Sequence, residues 1–300
     1  MEWKILLIYS NEMGNSMIQV AGRPLTAESV AEFGADESII IQQMLNAPET
    51  FSYRTMNELR FELNMRKNIM DSAREMSDSK AAFTIFETAR CNPAYWNLTN
   101  AGGFLLRPGV RPSEAVLDIY RNGSLYAFEC ATAMVIVYYH AVLKSIGSPN
   151  FDILFQNLYL YSWHTDPDLE LHSSYLNYFL PGDVVYFNNP EFHPNVSWFR
   201  GLNAVVLSDG TYFGHGFGIM TADQIINFLN TQRFPGSTQP AYLANIVTRI
   251  SSSTMHKLFT LQGSRIAHKK PKVVVHHNLC SISSVQYEHY CKQVNGSNSN

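Results

Sequence analysis

The fold is decided by an apolar stretch at residues 126–143, which reads YAFECATAMVIVYYHAVL. From Ala131 onward only Thr132 and His140 interrupt the apolar run, which predicts a helix buried on most sides that ends near Gly147. The run is shorter than the roughly 20 apolar residues that a membrane span requires. We therefore predict the core helix of a soluble protein that does not associate with membranes.

Helices dominate the chain before this stretch, and short strand-like runs dominate it afterwards. Helical spacing of apolar residues predicts helices at 52–76 and 112–120, and a later one at 221–233. Runs with strand character, separated by Pro-Gly, Asn-Pro and Asp-Gly turns, lie at 158–163, 183–187, 202–207 and 211–213. Helices first and an antiparallel sheet in the second half predict an α+β fold rather than alternating βαβ units.

The two ends of the chain differ in character from the middle. A segment with strand character starts at Met17, so residues 1–16 are predicted to be an N-terminal extension and residues 17–260 the folded domain. Residues 261–300 contain five Lys or Arg residues and one Glu, a net charge of +4, which predicts a basic, partly disordered tail. Cys280 and Cys291 both lie in this tail, and their pairing stays open.

Composition excludes several classes of function. The 300 residues are 46% hydrophobic, enough for a sizeable core, and the net charge of -3 provides no basic excess for binding nucleic acid. Four cysteines are too few for a disulfide scaffold in a chain of this length. No zinc-type spacing of ligands is present, so we predict no metal. The N-terminus shows no conventional export signal, which predicts synthesis in the cytoplasm.

Cys130 is the candidate nucleophile. It falls near the start of the predicted core helix, where free N–H groups and the helix dipole stabilise a thiolate and lower its pKa from about 8.5. Glu129 places a carboxylate beside it in apolar surroundings, where a charge without a function or a partner is costly. The alternative is that Cys130 is simply a small buried hydrophobic residue.

His215 is the candidate proton carrier, because glycines at 214 and 216 flank it at the end of a predicted strand and allow close approach. The alternative is a turn histidine without a catalytic role. Trp163, Trp198 and Phe199 are candidates for the wall of a substrate cleft. Aromatic residues near strands also commonly belong to the core, so both interpretations of these three residues stay open.

A series of motifs in fixed order surrounds the cysteine motif. The series consists of Phe51-Ser52-Tyr53, Tyr95-Trp96, Tyr161-Ser162-Trp163-His164, Tyr186-Phe187-Asn188-Asn189-Pro190, Arg200-Gly201, Tyr212-Phe213-Gly214-His215-Gly216 and Ala241-Tyr242-Leu243. With the cysteine motif, this combination resembles the small protein-glutamine gamma-glutamyltransferase, or transglutaminase, of bacterial spore coats. The resemblance extends from about Met17 to about residue 260.

The resemblance implies a single domain related to the papain-like and NlpC/P60-like cysteine hydrolases. It implies that Cys130 attacks a protein-bound glutamine, releases ammonia and forms a thioester, which a lysine of a second protein converts into an isopeptide crosslink. No cofactor is implied. The expected partners are glutamine-donor and lysine-acceptor proteins of the spore coat, with which the protein is expected to associate.

One position departs from the family pattern. The family has a glutamate directly after the Arg-Gly pair, as the carboxylate partner of the cysteine, and this sequence has Leu202 there. The resemblance allows Glu129 to substitute, provided that Glu129 and Cys130 lie at the start of the helix. The expectation is an active transglutaminase. The alternatives are a weakened or inactive paralogue that serves as a coat scaffold, and a cysteine amidase or peptidase.

Overall fold

The computed structural model of the protein describes residues 17–260, 275–277, 280–282, 287–288 and 291–292. The predicted N-terminal extension and most of the basic tail lie outside the described residues. The helices are α1 (Ala27–Val30), α2 (Ala35–Asn46), α3 (Met56–Asp78), α4 (Pro112–Arg121), α5 (Cys130–Leu154), α6 (Ala222–Thr231) and α7 (Ser252–Thr260).

The strands that precede α5 are β1 (Met17–Val20), β2 (Arg23–Pro24), β3 (Thr50–Tyr53), β4 (Ala82–Phe83), β5 (Trp96–Leu98), β6 (Phe104–Leu106) and β7 (Ala127–Phe128). Those that follow it are β8 (Tyr159–Leu160), β9 (Leu171–Tyr175), β10 (Val184–Asn188), β11 (Gly201–Val206), β12 (Tyr212–Gly214), β13 (Gly218–Met220), β14 (Tyr242–Ile250), β15 (Val275–His277) and β16 (Cys280–Ile282).

Helix α5 is the predicted core helix, and its residues from Ala131 to Val142 are buried. Gly147 interrupts it with a positive φ of 76°, and Pro149 lies just beyond the break. Among the described residues, α5 is the one helix long and apolar enough to cross a membrane, and 78% of its most apolar 18-residue window is buried inside the protein. The predicted end near Gly147 therefore marks a kink.

Helix α3 packs along α5 and starts later than the sequence pattern predicted. The predicted helix at 52–76 was wrong at its first residues, because Thr50–Tyr53 forms β3 and pairs in parallel with β1. Thr55 then caps the helix, and its side chain accepts a hydrogen bond from the Glu58 N–H. This cap ends the strand and fixes the start of α3.

A six-stranded antiparallel sheet occupies the second half of the chain, in the order β13-β12-β11-β10-β14-β9. Side chains alternate across it, so Leu202 and Ala204 of β11 join one apolar cluster with Ile225 and Leu229 of α6. Val205 faces the main core, which contains α5. The sheet therefore lies between α5 and α6, and the predicted α+β fold is confirmed.

Candidate active site

Strand β7 delivers Glu129 and Cys130 to the start of α5. It pairs in parallel with β4, in the register Ala82 to Ala127 and Phe83 to Phe128. Glu129 has extended backbone, with φ -89° and ψ 171°, and is the N-cap residue, so Cys130 is the first residue of the helix. Glu129 and Cys130 therefore lie at the start of the helix, as the sequence analysis required for Glu129 to serve as the carboxylate partner.

The Glu129 carboxylate folds back onto the helix N-terminus. It accepts hydrogen bonds from the Ala131 N–H at 2.6 Å, the Thr132 N–H at 2.7 Å and the Thr132 hydroxyl at 2.9 Å. Burial raises the pKa of Glu129 above its ordinary value, and these three hydrogen bonds act in the opposite direction. The helix N-terminus thus already holds the carboxylate of the residue that directly precedes Cys130.

The Cys130 thiol is half-buried and faces the end of β12. Its Sγ lies 3.7 Å from the backbone carbonyl oxygen of His215, to which it donates a hydrogen bond. Gly216, with a φ of 83°, turns the chain just after this carbonyl. A Cβ at position 216 would lie 2.7 Å from Cβ of Phe83, so the turn also requires glycine for space.

The His215 imidazole is buried and has its own contacts. Its Nε2 lies 3.2 Å from the Ala82 carbonyl oxygen, and its ring stacks on Phe128 with the ring centroids 4.6 Å apart. Burial lowers the pKa of His215 to about 4, so the ring is neutral at neutral pH. The structure therefore brings Cys130 and His215 together through the histidine backbone, and the ring lies against β4 and β7.

Leu202 is completely buried on β11. It belongs to the apolar cluster against which Cys130 packs, and in the antiparallel ladder it lies opposite Phe187. A Cβ on Gly214 would lie 2.7 Å from its Cδ2, so the side chain fills the space between neighbouring strands. A carboxylate at this position would face an apolar environment.

The three predicted wall residues lie in two different places. Trp163 is 6% exposed and belongs to the main core. Trp198 and Phe199 are half-buried, with their ring centroids 6.0 Å apart, and Phe199 packs against the same apolar cluster as Cys130. The core interpretation thus suits the surroundings of Trp163, whereas Phe199 packs against the apolar cluster that Cys130 also contacts.

Comparison with known proteins connects this geometry to a family. The family model described as protein-glutamine gamma-glutamyltransferase matches residues 17–259. A protein of that name from Halalkalibacterium halodurans is 66% identical over 95% of this chain and all of its own length, and one from Bacillus pumilus is 43% identical over 81% and 99%. The chain belongs to the protein-glutamine gamma-glutamyltransferase family.

A solved structure supports the same assignment. The transglutaminase from Geobacillus stearothermophilus, without its C-terminal extension, matches with a TM-score of 0.66 and 44% identity, over 68% of this chain and 98% of that one. The resemblance identified from the sequence is therefore confirmed at the level of family, fold and acyltransferase class. Transglutaminases act on protein glutamine and lysine residues, so protein partners follow from the family.

The described residues contain no group of three or more His, Cys, Asp or Glu side chains that could hold a metal ion. Cys91 and Cys291 are free thiols where the structure describes them. Burial raises the pKa of the Cys91 thiol to about 11, which disfavours a thiolate at this position.

Several residues around the transglutaminase site were not predicted from the sequence. Phe217 and Phe228 pack with Phe199 in a triangle of edge-to-face rings. Partial burial raises the pKa of the Tyr161 phenol, and the charge of the Glu129 carboxylate makes a smaller contribution in the same direction. Glycine and aromatic residues flank His215 in the sequence, and this was the available signal for Phe217.

Proposed function

We propose that this transglutaminase transfers the acyl group of a protein glutamine to a protein lysine through a thioester on Cys130. The observation that supports the proposal is the arrangement at the start of α5, where a half-buried thiol directly follows the buried Glu129 carboxylate. A thiolate is a good nucleophile, and an adjacent base both activates it and protonates the leaving group.

Glu129 is the proposed base. Two negative charges at adjacent residues in a poorly solvated site repel each other, so a thiolate forms most readily when its proton moves to Glu129. The raised pKa of the buried carboxyl favours that transfer over leaving the proton in solvent. The pair then carries one negative charge throughout, which the helix N-terminus stabilises.

The proposed steps balance as follows. The Cys130 sulfur attacks the glutamine carboxamide carbon, and the C–N bond breaks as the amide nitrogen takes the former thiol proton from Glu129 and leaves as ammonia. A neutral lysine amine then attacks the thioester carbon and the C–S bond breaks. One amine proton returns to the Cys130–Glu129 pair, and the product is the isopeptide. Apolar residues such as Leu202 and Phe199 on the thiol side disfavour water as the acceptor.

His215 is proposed to act at this site, and proton transfer by its imidazole stays a prediction. Its carbonyl already orients the Cys130 thiol. The ring contacts to Ala82, Phe83 and Phe128 indicate that the imidazole supports the strands around the site.

Spore-coat proteins are the proposed substrates, and the coat is the proposed location. The support is the resemblance of the motif series to the spore-coat enzymes and the Bacillus origin of relatives such as the one 43% identical to this chain. The test is to incubate the enzyme with extracted coat proteins and a fluorescent amine. Labelling of coat proteins is expected. If the enzyme labels unrelated proteins in a parallel incubation and leaves the coat proteins unlabelled, the assignment is contradicted.

The activity test measures incorporation of a fluorescent primary amine into a glutamine-rich protein, with ammonia release followed in parallel. We expect activity in the wild type, none in Cys130→Ala, and a rate lower by roughly 10²- to 10⁴-fold in Glu129→Gln. Two matched controls are available. Cys91→Ala removes another half-buried thiol, and Glu58→Gln alters another buried glutamate at a helix N-terminus, where it accepts the Arg54 N–H at 2.7 Å. Both controls should retain the wild-type rate.

The outcomes separate the alternatives stated from the sequence. Ammonia release without amine incorporation would indicate an amidase or peptidase. A wild type that neither incorporates amine nor releases ammonia would contradict the proposal, and recovery of activity in Leu202→Glu would then indicate a scaffold protein derived from an enzyme.

A further inference from the structure

The Thr132 hydroxyl connects the Glu129 carboxylate to a distant part of the chain. Thr132 Oγ1 lies 2.9 Å from Glu129 Oε1 and 2.8 Å from the backbone nitrogen of Ser162. Ser162 belongs to the loop after β8, thirty residues further along the chain. Thr132 and Ser162 are 3% and 0% exposed, so water is largely excluded from this connection.

The direction of these hydrogen bonds follows from the groups involved. A backbone N–H can only donate, so Thr132 Oγ1 must accept from Ser162. Its single O–H hydrogen is then available to point toward Glu129, and an ionised carboxylate oxygen only accepts. The Ser162 backbone thereby orients the Thr132 hydroxyl as a donor to Glu129.

The Ser162 backbone is itself held in an unusual conformation. Its φ is 53°, in the left-handed region that residues with a Cβ rarely occupy. The loop is closed by a bridge between Tyr161 and His164, and a hydrogen bond from the Asp166 N–H to the Tyr139 hydroxyl at 2.8 Å fixes its far side to α5. A strained residue persists where its surroundings determine it, and here the result is an N–H aimed at Thr132.

We propose that Thr132, oriented by the Ser162 N–H, is a positioning residue that holds the Glu129 carboxylate ionised and fixed at the helix N-terminus, at the position directly before Cys130. This inference rests on the proposed function, in which Glu129 is the base. Glu129 already accepts two backbone N–H groups of α5, which any N-cap carboxylate could use. The Thr132 hydroxyl is the additional donor, and it depends on the tertiary structure.

Other titratable groups also face this site. Cys130 lies on α5 itself, Tyr161 comes from the loop after β8, and His215 comes from the end of β12. Burial is the main reason for the raised pKa of Tyr161, and the smaller charge contributions include that of Glu87, which lies after β4. The pKa of His215 is about 4, and that of Tyr161 is raised above its ordinary value of 10.0. The alkylation rate of Cys130 itself therefore serves as the readout of the Cys130–Glu129 pair.

The test uses alkylation of Cys130 by iodoacetamide on the full chain, quantified by mass spectrometry of the Cys130 peptide from pH 4 to 9. We expect Thr132→Val to move the midpoint of the acidic limb upward by about one pH unit, because a hydrogen bond to a charged group is lost. Thr132→Ser keeps the hydroxyl and should restore the wild-type midpoint. Thr132→Ala provides a second hydroxyl-free variant if Thr132→Val does not fold, with folding checked by circular dichroism.

A double variant separates positioning from a general structural effect. In a Glu129→Gln background, Thr132→Val should cause no shift of the limb, since the carboxylate that it acts on is absent. An unshifted limb in both hydroxyl-free single variants, or an equal shift in the Glu129→Gln background, would overturn the inference. The alkylation assay requires no glutamine substrate, so a protein that shows the shift and incorporates no amine would contradict only the proposed function.

Discussion

The Glu129 carboxylate has one structural function and one proposed chemical function. As N-cap it satisfies backbone N–H groups of α5 that would otherwise be free, and as proposed base it must also accept the Cys130 proton. Position 202, where the family pattern has a glutamate, holds a completely buried leucine, so Glu129 is the carboxylate next to Cys130 in the proposed mechanism. The identity of these residues therefore determines where the negative charge of the site lies.

The buried position of Leu202 predicts the cost of restoring the family glutamate. Leu202→Glu should lower the free energy of unfolding by roughly 3 kcal/mol at neutral pH, because a carboxylate enters an apolar cluster. Such a carboxyl has a raised pKa in the folded protein, so stability should fall as pH rises through it. Urea unfolding at pH 5 and pH 8 measures the difference.

Leu202→Gln is the matched control, since it is polar and of similar size but does not titrate. Its loss of stability should be the same at both pH values. If the two variants show the same pH dependence, the site is more solvated than its burial indicates.

At the scale of elements, one buried carboxylate joins helix to sheet. Asp183, completely buried just before β10, contacts Arg66 of α3 at 2.9 Å and Arg249 of β14 at 2.6 Å. It also accepts the Leu180 N–H at 2.9 Å, which closes the turn that leads into β10. The long helix α3 and two strands of the sheet are thereby fixed relative to one another.

Removing this carboxylate should be strongly destabilising. Asp183→Asn removes the counter-charge that two buried guanidinium groups share, and among the described residues only Arg66 keeps a second carboxylate, that of Glu62. We expect a loss of about 3 to 5 kcal/mol in the free energy of unfolding. Asp71→Asn is the comparison, because Asp71 pairs with Lys67 and Arg74 at a partly exposed site. Its loss should stay below about 1 kcal/mol. Equal losses in chemical denaturation would show that the Asp183 network is not a structural connection.

For the whole molecule, two buried histidines couple stability to pH. His140 of α5 lies 3.0 Å from the Ser72 hydroxyl and stacks on Tyr120 of α4, with ring centroids 3.8 Å apart. Burial, and then the charge of Lys144, lower its pKa to about 3, and burial lowers the pKa of His215 to about 4. Both rings therefore stay neutral in the folded protein at pH values at which the same histidines of an unfolded chain bind protons.

The sign of the pH dependence follows from these lowered values. Below about pH 6.5 the unfolded chain takes up protons that the folded protein does not, so the stabilisation is present above that pH and is lost as pH falls toward 4. We expect each histidine to contribute on the order of 2 to 3 kcal/mol to this loss. His140→Gln and His215→Gln should flatten the decline in unfolding free energy between pH 7 and 4, measured by urea denaturation.

His172 is exposed on β9 and provides the comparison. His172→Gln should leave the pH profile of stability unchanged. A profile that stays equally steep in the two buried variants would assign the acid sensitivity to other groups.

Local patterns determined a large part of this protein. The apolar run of α5, the turns between strands and helix α6 all depend on neighbours within a few residues, and they were predicted from the sequence. The structure adds that Thr221 and Gln224 form a capping box at the start of α6. The motif series likewise identified the family, and the adjacency of Glu129 and Cys130 is a property of the sequence itself.

The tertiary structure decided what depends on distant neighbours. The sequence pattern did not predict helix α2, with its three consecutive isoleucines at 39–41, or strands β9 and β14. These elements are stabilised mainly by burial against other elements, which local periodicity does not show. The sequence also could not show that the His215 carbonyl, rather than its ring, receives the thiol hydrogen bond. Nor could it show that Ser162 aims an N–H at Thr132, because only folding brings together groups thirty residues apart and excludes the water that would otherwise satisfy them.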